Sequence, residues 1–145
     1  MAEILISNDK GETYLNMYAD LGALPLKGFY NELLQPYQYK EPIFNDSRLQ
    51  DGTQYVMYPR KADSRICDLG FVIKAENASV FLLRYQKFIE FMERGEIWLK
   101  VFKTRTIYKF VYYGNTKMSE FNSRLLCGVI YLSFVEPNPK DRINF

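Results

Sequence analysis

Three consecutive stretches decide the fold: Arg65-Ile66-Cys67-Asp68-Leu69-Gly70-Phe71-Val72-Ile73-Lys74-Ala75, then Ser79 through Arg94 (SVFLLRYQKFIEFMER) closed by Gly95, then Ile97-Trp98-Leu99-Lys100-Val101-Phe102. In the first, Cys67, Leu69, Phe71, Ile73 and Ala75 recur at every second position, opposite Asp68, Gly70 and Lys74, which is a strand with one face in a core. In the second, Phe81, Tyr85, Phe88 and Met92 recur at helical spacing. Leu82 and Ile89 widen the stripe, and Gln86, Lys87, Glu90, Glu93 and Arg94 form the wet side. This predicts a helix over about 79–94, with Ser79 as N-cap and Gly95 as the residue that takes positive φ after the last turn. Phe91 falls near its polar boundary. In the third, Ile97, Leu99 and Val101 alternate with Trp98, Lys100 and Phe102, so a strand follows the helix directly.

Upstream, Ile4-Leu5-Ile6, a turn over Ser7–Gly11, and Tyr14 to Tyr18 read as a hairpin. Ala23 to Phe29 holds Pro25 and Gly28 and suits a sheet edge. From about 30 to 52 the apolar residues lose any period among Pro36, Pro42 and several Asn, Asp and Gln, which predicts a long loop. Ordinary connections run to about 4 to 6 residues, and much longer ones are functional or disordered. This one carries Leu33, Leu34, Tyr37, Tyr39, Ile43 and Phe44, more apolar surface than a passive linker needs. Two uses are open to it: a cover over the domain's own core, or a contact surface for a neighbour. Downstream, Thr106 to Tyr113 and Leu125 to Val135 continue a meander, with turns at Lys103–Arg105 and at Gly114-Asn115-Thr116, and Pro137 and Pro139 stop the last strand. The reading is a mainly β (α+β) domain, an antiparallel sandwich or barrel with one packed helix, over residues 1–139. Residues 140–145 form a short polar tail. Its core is expected to hold Leu69, Phe71, Ile73, Phe81, Tyr85, Phe88, Ile89 and Met92.

Composition narrows the chemistry. Histidine is absent, which removes the commonest general base, the imidazole metal ligand and every Ser-His or Cys-His pair. The 19 basic and 17 acidic residues are mixed along the chain, so charge names no partner. Cys67 and Cys127 sit in apolar runs, as small buried side chains rather than a disulfide framework or a metal site. The N-terminus lacks the apolar region of a signal peptide, and the longest uncharged run is too short to span a membrane. Asn77-Ala78-Ser79 matches a glycosylation acceptor, which lacks meaning without secretion. The carboxylates Glu90, Glu93 and Glu96 fall on the helix's wet side or just past its end, where solvated charge explains them before catalysis. No glycine pattern makes a phosphate-binding loop. No enzyme and no cofactor is expected. Aromatic residues are abundant, at 17%. Trp98, Lys100, Phe102, Lys103, Tyr108, Lys109, Tyr112 and Tyr113 could stack single-stranded bases, and a small nucleic-acid-binding module is the second reading. Protein contact is the better use for surface aromatics.

The element order resembles that of the N-terminal domain of phage distal tail proteins, and more broadly the tail-tube fold. The matching features are an N-terminal hairpin, a long loop, the strand Arg65 to Ile73, the helix Ser79 to Arg94, Gly95 with the strands Ile97 to Phe102 and Tyr108 to Tyr113, and a final strand running into Glu136-Pro137. The resemblance implies a structural subunit of a phage or prophage tail, a distal tail or tube-like ring subunit. Its partners would be copies of itself in a six-fold ring and other tail proteins, with DNA met only as it passes through the assembled channel. It implies manufacture in the cytoplasm of a bacterial host and residence in the virion tail. The candidate contact residues are Leu33, Leu34, Tyr37, Tyr39, Ile43, Phe44 and Phe91.

Overall fold

The computed structural model describes residues 4–40, 61–115 and 117–145, and the backbone of 44–45 and 54–55. The elements in chain order are β1 (Ile4–Ser7), β2 (Leu15–Asn16), β3 (Ala23–Pro25), α1 (Phe29–Leu33), β4 (Phe44–Asn45), β5 (Gln54–Tyr55), β6 (Arg65–Lys74), α2 (Ala78–Met92), β7 (Glu96–Val101), β8 (Thr106–Gly114), β9 (Glu120–Phe121), β10 (Cys127–Glu136) and β11 (Ile143–Asn144). Among the described residues, nine strands form one antiparallel sheet along β2-β1-β7-β8-β10-β6-β3, with β11 on β8 and β9 on β10. The sheet is curled into a half-barrel with one main helix. The choice between sandwich and barrel thus resolves toward a curled single sheet.

Chain length forces the curl. β2 and β3 stand at opposite ends of the seven-strand path, yet only residues 17–22 join them. Six strand spacings of about 4.8 Å laid flat separate the edges by about 29 Å, whereas the chain from Asn16 to Ala23 reaches at most about 25 Å. The connector is tighter still, since the Ala23 amide bonds the Met17 carbonyl at 3.0 Å and the Met17 amide bonds Ile4 at 3.3 Å.

The alternation in 65–75 behaves as the sequence predicts. Cys67, Leu69, Phe71 and Ile73 are buried on one face of β6, and α2 covers them with Phe81, Phe88 and Met92. Tyr85 and Ile89 are half-buried against the same cluster. Phe71 is the hub, edge-on to Phe29 at 5.6 Å, Phe88 at 5.1 Å and Phe134 at 6.4 Å. Six phenylalanines, at positions 29, 71, 81, 88, 110 and 134, are fully buried, so much of the aromatic content builds the core rather than a surface.

Several expectations need correction. The helix begins earlier than predicted. Asn77, not Ser79, is the N-cap, in extended geometry, its side-chain oxygen accepting from the Val80 amide at 3.0 Å. Gly95 takes φ 110° after the last turn, as expected. Leu82 is exposed, because a helix turns about 100° per residue and carries it away from the face set by Phe81. The segment from 30 is not all loop. Gly28 at φ 95° turns the chain into α1, whose Phe29 and Leu33 sit one turn apart in the core. Beyond Pro139, where a polar tail was expected, the chain returns to the sheet: Ile143 and Asn144 pair with Ile107 and Thr106 of β8.

Candidate assembly surface

Between α1 and β6 the chain makes a two-stranded excursion outside the main sheet. At its base Tyr39 bridges Ala62, the Lys40 amide bonds the Lys61 carbonyl at 2.9 Å, and the Asp63 amide bonds Gln38 at 2.8 Å. Further out, Phe44 and Asn45 pair with Tyr55 and Gln54.

The contact residues expected from sequence separate into distinct positions. Leu33 is fully buried in the core, so its place on a contact surface is withdrawn; it lies four residues after Phe29 on the inward side of α1. Leu34, the next residue round the helix, is 58% exposed. Tyr37 is half-buried and Tyr39 is 44% exposed, their rings edge-on at 5.6 Å. Ile43 and the side chain of Phe44 lie outside the described residues. Phe91 is elsewhere, half-buried on α2 beside a cleft lined by Asn8, Leu21, Lys87, Glu90 and Arg94, with its carbonyl accepting from the Asn8 side chain at 3.3 Å. Tyr37 and Tyr39 therefore meet, Leu34 lies a few residues before them on the same stretch of chain, and Phe91 stands apart.

Beneath that region lies a charge cluster that the sequence alone does not suggest. Arg65 and Glu136 are both buried and face each other in the β6–β10 register. Arg65 Nε donates to Glu136 Oε1 at 3.0 Å, and one terminal nitrogen donates to the carbonyls of Leu33 at 2.8 Å and Gln35 at 2.7 Å. Among the described residues the other terminal nitrogen has no hydrogen-bond partner, and the guanidinium lies 5.9 Å from the Phe110 ring centre. Arg142 completes the cluster with Nε and Nη2 on the two carboxylate oxygens, each at 2.8 Å. Those hydrogen bonds push the Arg142 guanidinium above its ordinary pKa, so it stays charged. Its plane also lies 5.0 Å from Tyr108 and 5.8 Å from Tyr37. A hydrogen bond with Tyr39 pushes the Tyr37 phenol up. The only sequence signal for this cluster is the acidic residue before Pro137; pairing it across 71 residues requires the register.

The aromatic and basic residues considered for base stacking are divided between two faces. Tyr108 is buried, and Tyr112 packs on Phe134 at 5.9 Å on the inner side. On the outer side, Lys109 covers Trp98 at 4.6 Å, and Lys100 lies within 5.6 Å of the rings of Tyr14, Phe102 and Phe145. These rings hold the protein's own cations and make no continuous platform. Cys67 is buried and its thiol is pushed up to about 12 by desolvation, which keeps it protonated. Among the described residues, no group of three or more metal-binding side chains comes together, and no helix is long and apolar enough to cross a membrane.

No protein-family model and no curated protein sequence matches the chain. Among solved structures, it is similar to the Dit protein (gp 19.1) of phage SPP1, described as a paradigm of the hub adsorption apparatus of phages that infect Gram-positive bacteria. The TM-score is 0.50 at 12% identity, over 73% of this chain and 42% of that one, so the chain spans less than half the length of that protein. At this identity the likeness is one of fold: the curled antiparallel sheet with its helix is similar to part of a phage hub protein.

Proposed function

We propose that this protein is a structural subunit of a phage or prophage tail, a distal tail or tube-like component that works by oligomerisation and contact with other tail proteins rather than by catalysis. The observation that carries the proposal is the likeness of its curled sheet and helix to part of a phage hub protein. Support comes from two exposed side chains on this stretch, Leu34 at the end of α1 and Tyr39 at the base of the two-stranded excursion, the latter of a type enriched in contact surfaces. On this reading the protein is made in the bacterial cytoplasm, closes into six-fold rings and is carried in the tail.

Native mass spectrometry across a concentration series, with electron micrographs of the largest species, tests it. Six-fold rings are expected. A protein monomeric at every concentration and missing from purified particles refutes it. Within the same experiment, Leu34→Ala and Tyr39→Ala are expected to keep the wild-type melting temperature and to weaken assembly, by about thirtyfold or more if either is a hot spot. Phe88→Ala, buried against Phe71, is the contrasting variant and should lose about 3 to 5 kcal/mol of stability. Equal destabilisation by all three would mean that Leu34 and Tyr39 only cover the core.

A further inference from the structure

We infer that the segment 137–145 is a clasp that couples the open half of β8 to the placement of the two-stranded excursion. The segment has two sides. On one, Ile143 and Asn144 pair with Ile107 and Thr106, and the Phe145 amide bonds the Arg105 carbonyl at 3.1 Å. Arg105 Nε returns a bond to the Phe145 carbonyl at 2.9 Å, and the Phe145 ring meets Phe102 edge-on at 5.3 Å. This takes up Thr106 and Ile107 on the side of β8 where β10 reaches only as far as Val111. On the other side, Arg142 holds Glu136 and lies against Tyr37, while Lys140 lies 5.6 Å from the Tyr39 ring.

Arg65 grips the same stretch from below, through the carbonyls of Leu33 and Gln35, and shares Glu136 with Arg142. The chain from Leu33 to Tyr39 is thus fixed by two cations that meet on one carboxylate. One of those cations stands just before a short strand, which is seated by two ladder positions on β8, the bonds between Arg105 and Phe145, the Phe145–Phe102 ring contact and the Lys109–Asp141 ion pair. Lifting that strand withdraws Arg142 from Tyr37 and Lys140 from Tyr39 together. Arg65 and Glu136 remain paired, so the core survives while the base of the excursion loosens. A strand from another molecule that took the β8 edge would therefore release the excursion in the same step. The coupling belongs to the single chain and does not depend on ring formation.

Amide hydrogen exchange by nuclear magnetic resonance, on the full chain, tests this. With Arg142→Ala, the amides of Lys40 and Asp63, which close the excursion's base, should exchange about tenfold faster, while those of β6 and β7 keep their rates. With Phe145→Ala, which touches neither tyrosine, the amides of 143–145 and those of Lys40 and Asp63 should rise together. Unchanged Lys40 and Asp63 rates in Arg142→Ala, or a rise confined to 143–145 in Phe145→Ala, overturns the coupling. If Arg142→Ala loses its core protection, Lys140→Ala carries the test, because it contacts neither Glu136 nor β8; an unchanged Lys40 rate in that variant overturns the coupling equally.

Discussion

Gly128 in β10 is expected to tolerate no side chain. It pairs with Ile73 of β6 on one side and with Phe121 of β9 on the other, so its backbone has little room to shift. A Cβ there would lie 2.7 Å from Phe81 Cζ and 2.9 Å from Phe121 Cδ1, about 1 Å inside ordinary carbon contact. The two neighbours differ in freedom. Phe121 is 42% exposed and can swing outward, whereas Phe81 is fully buried, stacked on Tyr85 at 6.3 Å. The strain therefore falls on Phe81, and overpacking of this kind costs about 1 to 3 kcal/mol. Against it stands a gain of about 0.5 to 1 kcal/mol, because alanine holds a strand better than glycine. A clash with a ring that cannot move sits at the upper end of the first range, so Gly128→Ala should lose about 1 to 2.5 kcal/mol net. That corresponds to a fall of about 3 to 8 °C in Tm for a chain of this size. Thermal and urea denaturation of Gly128→Ala, Phe81→Leu and the double variant form a cycle. Leucine lacks the far end of the ring, so on that background the added methyl should cost nothing or stabilise slightly, giving a coupling of at least about 1 kcal/mol. An equal cost on both backgrounds, or a neutral Gly128→Ala in the wild type, would refute the packing argument.

Glu136→Ala should be among the costliest single changes, about 3 to 5 kcal/mol, because it strands the buried Arg65 guanidinium; a loss under about 1 kcal/mol by urea denaturation would show that the Leu33 and Gln35 carbonyls suffice for that charge. Cys67 should resist alkylation in the native protein and react once it unfolds. Since burial raises its folded pKa from 9.0 to about 12, the unfolded chain gives up this proton first as pH rises, so this residue's contribution to stability is complete below about pH 9 and declines from there toward pH 12. Cys67→Ala should flatten that part of the pH–stability curve, and an unaltered slope would argue against the assignment.

The elements legible in the sequence were those whose local pattern and tertiary role agree. β6 and β7 alternate because one face of each meets α2 or its neighbours, and α2 announces itself by the spacing of Phe81, Phe88 and Met92. The failures came where a local signal was short or shared. α1 offers one apolar pair, Phe29 and Leu33, in a stretch crowded with turn residues, and Gly28 before it reads equally as a loop. Asn77 and Ser79 are both good caps, and the backbone chose the earlier one. The Arg65–Glu136–Arg142 cluster was out of reach, because its members become neighbours only when β6 and β10 pair from Arg65 to Glu136 and the chain then turns back at 137–141. Of the candidate surface, Leu34 and Tyr39 stand exposed, whereas Leu33, adjacent in sequence and alike in chemistry, is inside for a reason of helical phase alone.

The treatment of the sheet's edges bears on how such a protein could assemble. β2 offers two residues, and β3 three, of which Pro25 has no amide to donate, so both ends of the strand path are poor templates for a further strand. Among the described residues the long strands β8 and β6 each have an incomplete side: β11 takes Thr106 and Ile107 of β8, and β3 pairs β6 only at Phe71, Val72 and Ile73. Backbone pairing with a neighbour is thus disfavoured at the short ends β2 and β3 and partly blocked on β8. On the proposed assembly, contact between copies can begin through side chains, and Leu34 and Tyr39 stand exposed on the stretch of chain that Arg65, Arg142 and Lys140 touch. If assembly starts there, a partner pressing on Tyr39 also presses on the seat of β11. Strand exchange at β8 then becomes a second step that side-chain docking makes easier, and a monomer in isolation keeps β11 on β8.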